Sequence, residues 1–179
     1  MKTAQLEIIK MGINGEGIGY LDRKPVFIPG ALPGELVNAE IDDRQERFLR
    51  ARCTEILKPS PDRVTPACGL QEKCGGCPLM SLRYPRQLQY KQRLLEESLY
   101  KYADIRRSAI GQIIGSPDAL GYRNQCKMPL GEDHDGLETG MYQPGSNHFI
   151  TVRSCLVHKP DLEKTRLQIL TVLNEYHQQ

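Results

Sequence analysis

The chain has 179 residues, 39% of them hydrophobic, enough for one medium domain or two small ones. Its 24 basic residues face 22 acidic ones, and the resulting net charge of +2 is too mild to argue for nucleic acid by itself. There is no run of about 18 apolar residues, and the opening MKTAQLEIIKMG has too short an apolar stretch and too early a glutamate for a signal peptide; this argues against a membrane-spanning or secreted protein, and the expected location is the cytoplasm.

Residues 3 to about 57 read as short strands, with runs at Leu6–Met11, Ile18–Leu21, Val26–Ile28, Leu36–Ile41 and Phe48–Leu57. Asn14-Gly15, Pro29-Gly30 and Pro33-Gly34 lie between them and favour tight turns. Five short strands in such a length predict a small OB-like barrel, an architecture commonly used on nucleic acid. Gly15-Glu16-Gly17-Ile18-Gly19 invites a nucleotide-loop reading. The strand and turn residues that follow it, Leu21 to Pro29, do not make the helix such a loop needs, so a barrel hairpin is expected.

Lys58-Pro59-Ser60-Pro61 marks a domain boundary, because two prolines cannot continue a central strand. From Pro85 to about Ile105 the spacing of Leu88, Leu95, Leu99 and Tyr102 predicts a helix with one apolar face. Strand character returns over 121–152, with turn signals at Gly131–Gly136 and Pro144-Gly145. Pro160 then opens a second helix, in which Leu162, Arg166, Ile169, Leu173 and Tyr176 recur at three and four residues. That helix runs on to the end of the sequence without a capping glycine, as expected if a further partner domain follows.

Six cysteines without a secretion signal point to metal binding, reactive thiols or buried thiols. Cys68, Cys74 and Cys77 stand in a C-x5-C-x2-C loop, and Gly75 and Gly76 let a backbone wrap closely round a bound group. A fourth ligand is needed, and Cys155, His158, Cys126 and Cys53 are candidates. Cys155 is preferred for its turn-like position after the strand Phe149–Arg153 and before Pro160. Three clustered cysteines with one remote partner favour an iron–sulfur cluster over zinc, which generally takes two separated pairs, and over free thiols. Cys53 and Cys126 sit in strand patterns and read as small buried hydrophobes. His134 and His148 read as surface residues.

Pro66-Ala67-Cys68, Cys74-Gly75-Gly76-Cys77, Tyr90-Lys91, Gly121-Tyr122-Arg123-Asn124 and Cys155 occur in the order seen in the RNA uracil-5-methyltransferase family, which the chain resembles over nearly all its length. The similarity is greatest to the ribosomal RNA branch that carries a cluster. Gly15-Glu16-Gly17 and Leu32-Pro33-Gly34-Glu35 likewise resemble the TRAM domain, an RNA-binding barrel at the front of these enzymes. The resemblance implies that Cys68, Cys74, Cys77 and Cys155 hold a 4Fe-4S cluster. It also implies a Rossmann-like domain binding S-adenosylmethionine, for which this sequence has no counterpart. Accordingly no catalytic residue and no S-adenosylmethionine ligand is assigned here, and the cofactor belongs to the full-length parent alone.

Arg44, Arg47, Arg50 and Arg52 form a basic cluster, and alternate strand residues put Arg50 and Arg52 on one face, where they could contact phosphates. Phe48 offers a stacking surface, unless it belongs to the barrel core. Lys73, Arg123 and Lys127, together with Arg83 and Arg86, are candidates to extend the basic surface.

The expected fold is α+β. A five-stranded OB-like TRAM barrel (1–58) leads into a linker and cluster loop (59–84), then a helical segment (85–120) expected to pack on a methyltransferase domain outside this sequence, and then part of a β-rich central domain with a terminal helix (121–179). The expected role is the N-terminal RNA-binding and iron–sulfur portion of a 23S rRNA uracil-5-methyltransferase, monomeric, with RNA as partner, no membrane association and no methyl transfer of its own. The alternative is a free-standing RNA-binding iron–sulfur or zinc protein.

Overall fold

The alternation of apolar residues in the first 58 positions is realised as strands in the computed structural model, which describes residues 3–133 and 136–177. Among these the elements are β1 (Thr3–Glu7), β2 (Lys10–Met11), β3 (Gly17–Leu21), β4 (Lys24–Ile28), β5 (Leu36–Arg44), β6 (Leu49–Lys58), α1 (Gln71–Cys74), α2 (Tyr84–Ala103), β7 (Leu130–Asp133), β8 (Gly136–Tyr142), β9 (Phe149–Thr151) and α3 (Pro160–His177). They form two units, each made of two stretches of chain: Met1–Pro66 with Pro78–Ile114, and Ala67–Cys77 with Gly115–Gln179. The sequence reading drew four consecutive stretches instead. Pairing along the chain does not reveal that the cysteine loop folds with the C-terminal residues.

In the first unit the sheet order is β1-β5-β6-β4-β3-β2, with β4 and β6 parallel and the other neighbours antiparallel. Its edge strands β1 and β2 are separated only by Ile8 and Ile9. The Ile8 N–H donates to the Glu35 carbonyl at 2.8 Å, and the Ile9 N–H to the Ile18 carbonyl at 2.9 Å. One stretch of chain therefore supplies both edges of the sheet. The sheet has six strands where five runs were expected, because Leu6–Met11 breaks at the point where its halves turn to different neighbours.

The core holds Leu6, Ile8, Val26, Ile28, Val37, Ile41 and Leu49, with small residues Ala31, Ala39 and Ala51 where the interior is narrow. Gly17 sits where no side chain fits: a Cβ there would lie 2.7 Å from the Ala31 carbonyl oxygen. Residues 12–16 are the hairpin turn between β2 and β3, closed by the Gly12 N–H on the Glu16 carbonyl at 2.7 Å, and a strand follows it. The turn between β3 and β4 takes Asp22 and Arg23 to φ of 50° and 66°, as a two-residue hairpin twisted to match its strands requires.

Glu35 locks the six-stranded sheet to the chain that leaves it. Its buried carboxylate accepts the Leu32 N–H at 2.8 Å, the Ser60 N–H at 3.1 Å, and Arg63 Nε and Nη2 at 2.6 and 2.9 Å. The helix expected over 85–105 is α2, with proline in its first turn and Asp104 ending it at φ 51°. Its apolar face is poorly covered: Leu95 and Tyr102 are 49% and 79% exposed, and no residue of α2 is buried.

The second unit has a three-stranded antiparallel sheet, β7-β8-β9, against which α3 packs through β8. The strand expected from 121 begins only at Leu130; before it, Arg123 makes an isolated bridge with His158. Cys126, read as a strand residue, therefore lies half-buried in an unpaired stretch. The face α3 presents also differs from the expected stripe. Arg166 is buried as a member of that stripe, but Ile169 and Tyr176 are 55% and 71% exposed, and Asn174 instead bonds the Leu137 N–H and carbonyl at 2.7 and 2.9 Å. Hydrogen bonds to strand groups, not apolar spacing, select that face.

Candidate metal centre and nucleic-acid interface

Five of the six cysteines lie in the second unit, Cys68, Cys74 and Cys77 in one short loop and Cys126 and Cys155 further along the chain. α1 is a single turn after Cys68, tied by the Gln71 N–H on the Cys68 carbonyl at 3.2 Å, and it ends at Cys74. Gly75 turns the chain with φ 67°, and any side chain there would overlap the Pro144 ring. The Gln71 side-chain amide donates to the Cys77 carbonyl at 3.4 Å. Cys155 follows β9 in a turn closed by the His158 N–H on its carbonyl at 3.1 Å.

All six cysteines are free thiols and half-buried. Burial pushes the Cys77 thiol up from its ordinary value, Arg123 pulls it back, and Cys155, Cys74 and Cys68 add to the upward push. Burial also raises Cys126, opposed by Arg166 and aided by Glu163 and Cys155. Cys53 packs against the barrel core in the other unit, as its strand pattern predicts. Among the described residues, no three His, Cys, Asp or Glu side chains are gathered to hold a single metal ion.

Behind Cys155 stands a polar network. Glu163, in the first turn of α3, accepts the Cys155 N–H at 2.9 Å, Arg166 Nη2 at 2.5 Å and Nε at 3.2 Å, and its other oxygen meets His158 Nδ1 at 2.7 Å. Arg166 also donates to the Arg153 carbonyl at 2.9 Å and to the Thr139 hydroxyl. Burial opposes ionisation of Glu163, but the bonds from Arg166, His158 and the Cys155 N–H outweigh it, and the carboxyl lies below its usual range. The sequence reading missed Glu163. An arginine on an otherwise apolar helix stripe was the available signal.

On the first unit Leu49 and Ala51 point inward while Arg50 and Arg52 are exposed, so the two arginines do share a face. They differ in state. Arg52 pairs with Glu40 on the neighbouring strand at 2.6 Å, whereas the Arg50 guanidinium lies 5.7 Å from the centre of the Phe48 ring. Phe48 is half-buried outside the core and meets Phe27 edge to face at 5.7 Å. Phe27 escaped the sequence reading, although its position between the inward Val26 and Ile28 marks it as outward. Arg44 and Arg47 are exposed on the same unit, and Lys73, Arg123 and Lys127 are exposed on the other. His148 is exposed, His158 is buried, and His134 lies outside the described residues.

Comparison with known proteins agrees with a TRAM domain at the front of the chain. Residues 2–54 match the TRAM domain. Over 96% of its length the chain is 36% identical to an uncharacterized RNA methyltransferase of Enterococcus faecalis, and over 97% it is 37% identical to one of Bacillus anthracis. The chain spans 38% and 39% of those two relatives. A solved tRNA (uracil-54, C5)-methyltransferase of Pyrococcus abyssi, in complex with S-adenosyl-L-homocysteine, shares the fold with a TM-score of 0.63 at 21% identity, covering 96% of this chain and 37% of that one. The TRAM residues hold the outward Phe27, Phe48, Arg50 and Arg52. No helix among the described residues is long and apolar enough to cross a membrane.

Proposed function

We propose that this chain is the RNA-binding and iron–sulfur portion of an S-adenosylmethionine-dependent RNA uracil-5-methyltransferase acting on 23S rRNA in the cytoplasm. The observation that carries the reading is the C-x5-C-x2-C loop of Cys68, Cys74 and Cys77 in the same unit as Cys155, on a chain similar to RNA methyltransferases. Three clustered cysteines with one remote partner fit a 4Fe-4S cluster better than a single zinc ion, which generally takes two separated pairs. The ribosomal target rests on the resemblance of the CGGC loop to the ribosomal RNA branch.

When bound, such a cluster supplies iron–thiolate bonds that tie Cys155 to the loop 68–77 in a unit with a small apolar core. The chain's own residues hold the thiols, and Arg123 partly offsets the burial that raises the Cys77 thiol. Arg44, Arg47, Arg50 and Arg52 with Lys73, Arg123 and Lys127 meet RNA phosphates, and Phe48 stacks on a base. We assign no nucleophile, base or S-adenosylmethionine pocket to these residues; methyl transfer belongs to the part of the relatives that this chain does not span.

Metal analysis tests this reading. Protein isolated without oxygen should be brown and hold about four iron and four sulfide per chain. Cys74→Ser or Cys77→Ser should abolish retention and Cys155→Ser should weaken or abolish it, whereas Cys53→Ser should leave it intact. Stoichiometric zinc without iron would refute the cluster.

A further inference from the structure

We infer that Glu163 is a positioning residue for Cys155, holding the remote thiol in register with the loop 68–77 through its backbone. The inference rests on the cluster reading above and deepens it. Three of the four thiols share one short loop, so their relative placement is largely local. Cys155 comes from a separate turn between β9 and α3, and without a fixed backbone each docking of its thiol would cost conformational entropy.

Glu163 removes that freedom. Its Oε1 accepts the Cys155 N–H at 2.9 Å, and the same carboxylate is clamped by Arg166 at 2.5 Å and by His158 Nδ1 at 2.7 Å. Both partners are buried and both fasten the turn from either side of Cys155: Arg166 through the Arg153 carbonyl, and His158 through its own N–H on the Cys155 carbonyl. Arg123 closes the arrangement from outside, its N–H on the Val157 carbonyl at 2.8 Å and its carbonyl accepting the Lys159 N–H at 2.8 Å. A buried arginine and histidine sharing one carboxylate is a costly way to end a strand and start a helix. Its location directly behind a candidate ligand gives the cost a purpose, because groups behind a ligand fix its orientation.

Two substitutions separate reach from charge. Glu163→Gln keeps an acceptor oxygen at the same distance and loses the charge; Glu163→Asp keeps the charge and falls one methylene short of the Cys155 N–H. The full chain, purified anaerobically, is challenged with an iron chelator, and loss of the visible cluster absorbance is timed alongside iron and sulfide content and the thermal transition. Positioning predicts that the Asp variant loses iron about tenfold faster than the parent chain and that the Gln variant stays near it. Asn174→Ala, which loosens α3 from β8 away from Cys155, should release iron at the parent rate. If the Gln variant does not fold, the Asp and Asn174→Ala forms carry the comparison by themselves. Faster loss from the Gln form than the Asp form, or equal loss from the Asp and Asn174→Ala forms, would overturn the inference. A parent chain without iron and sulfide would instead sink the cluster reading itself, before any variant is compared.

Discussion

Arg50 and Arg52 occupy one face of β6, and the structure predicts that they contribute unequally to RNA binding. Each phosphate neutralised on a single strand releases counterions worth roughly −0.7 in the logarithmic salt slope, so two equivalent arginines would account for about 1.4. Arg52, however, is already paired with Glu40 at 2.6 Å, while among the described residues Arg50 has an aromatic ring and no carboxylate partner. Arg50→Ala should therefore flatten the slope by about 0.7, Arg52→Ala by much less, and the double variant by about 0.7 rather than 1.4. Glu40→Gln frees Arg52 and should steepen the slope by up to about 0.7. Fluorescence anisotropy of labelled single-stranded and hairpin RNA, titrated with the whole chain over a potassium chloride series, measures all four. Equal flattening by the two single variants would show that the Glu40 pair does not hold in solution. No change in either would move the RNA surface off this face altogether.

The aromatic pair beside these arginines should carry stacking, so Phe48→Ala ought to weaken RNA binding by about 1–3 kcal/mol for one lost base contact, and Phe27→Ala by less, since its partner remains. Both variants should keep the amide exchange protection of β4 and β6, because neither ring lies in the core; lost protection would make them structural. Glu35→Gln should destabilise the barrel by about 3 kcal/mol, since it leaves Arg63 largely buried beside a neutral group. Burial disfavours the Glu35 carboxylate, but Arg63 and the Leu32 and Ser60 amides more than offset this and hold its pKa below the usual range. Its stabilising contribution is thus full above the unfolded carboxylate value and is lost as pH falls through the lower folded one. Amide exchange at Val26, Val37 and Ala39 across that acidic window reads it, and a Gln variant with unchanged acid sensitivity would contradict the assignment.

Much of the first unit follows from local chemistry. Strand runs and turn dipeptides are readable because alternation and glycine or proline conformations are set by residues close in sequence, and the loop Cys68, Cys74, Cys77 is legible for the same reason. Local pattern stopped short where pairing is distant. It could not show that Leu6–Met11 splits between two neighbours, that Arg52 faces Glu40, or that Phe27 meets Phe48, since each depends on strand register across the sheet. It misjudges the second half of α3 because apolar spacing is blind to hydrogen-bonding demand: Asn174 faces the strands, and Ile169 and Tyr176 do not. The sequence by itself determined the strand-and-turn pattern of the first 58 residues and the clustering of Cys68, Cys74 and Cys77 in one short loop. Only the tertiary structure decided which residues stand behind Cys155, because Glu163, Arg166 and Thr139 come together through the docking of α3 on β8, an arrangement that no local spacing encodes.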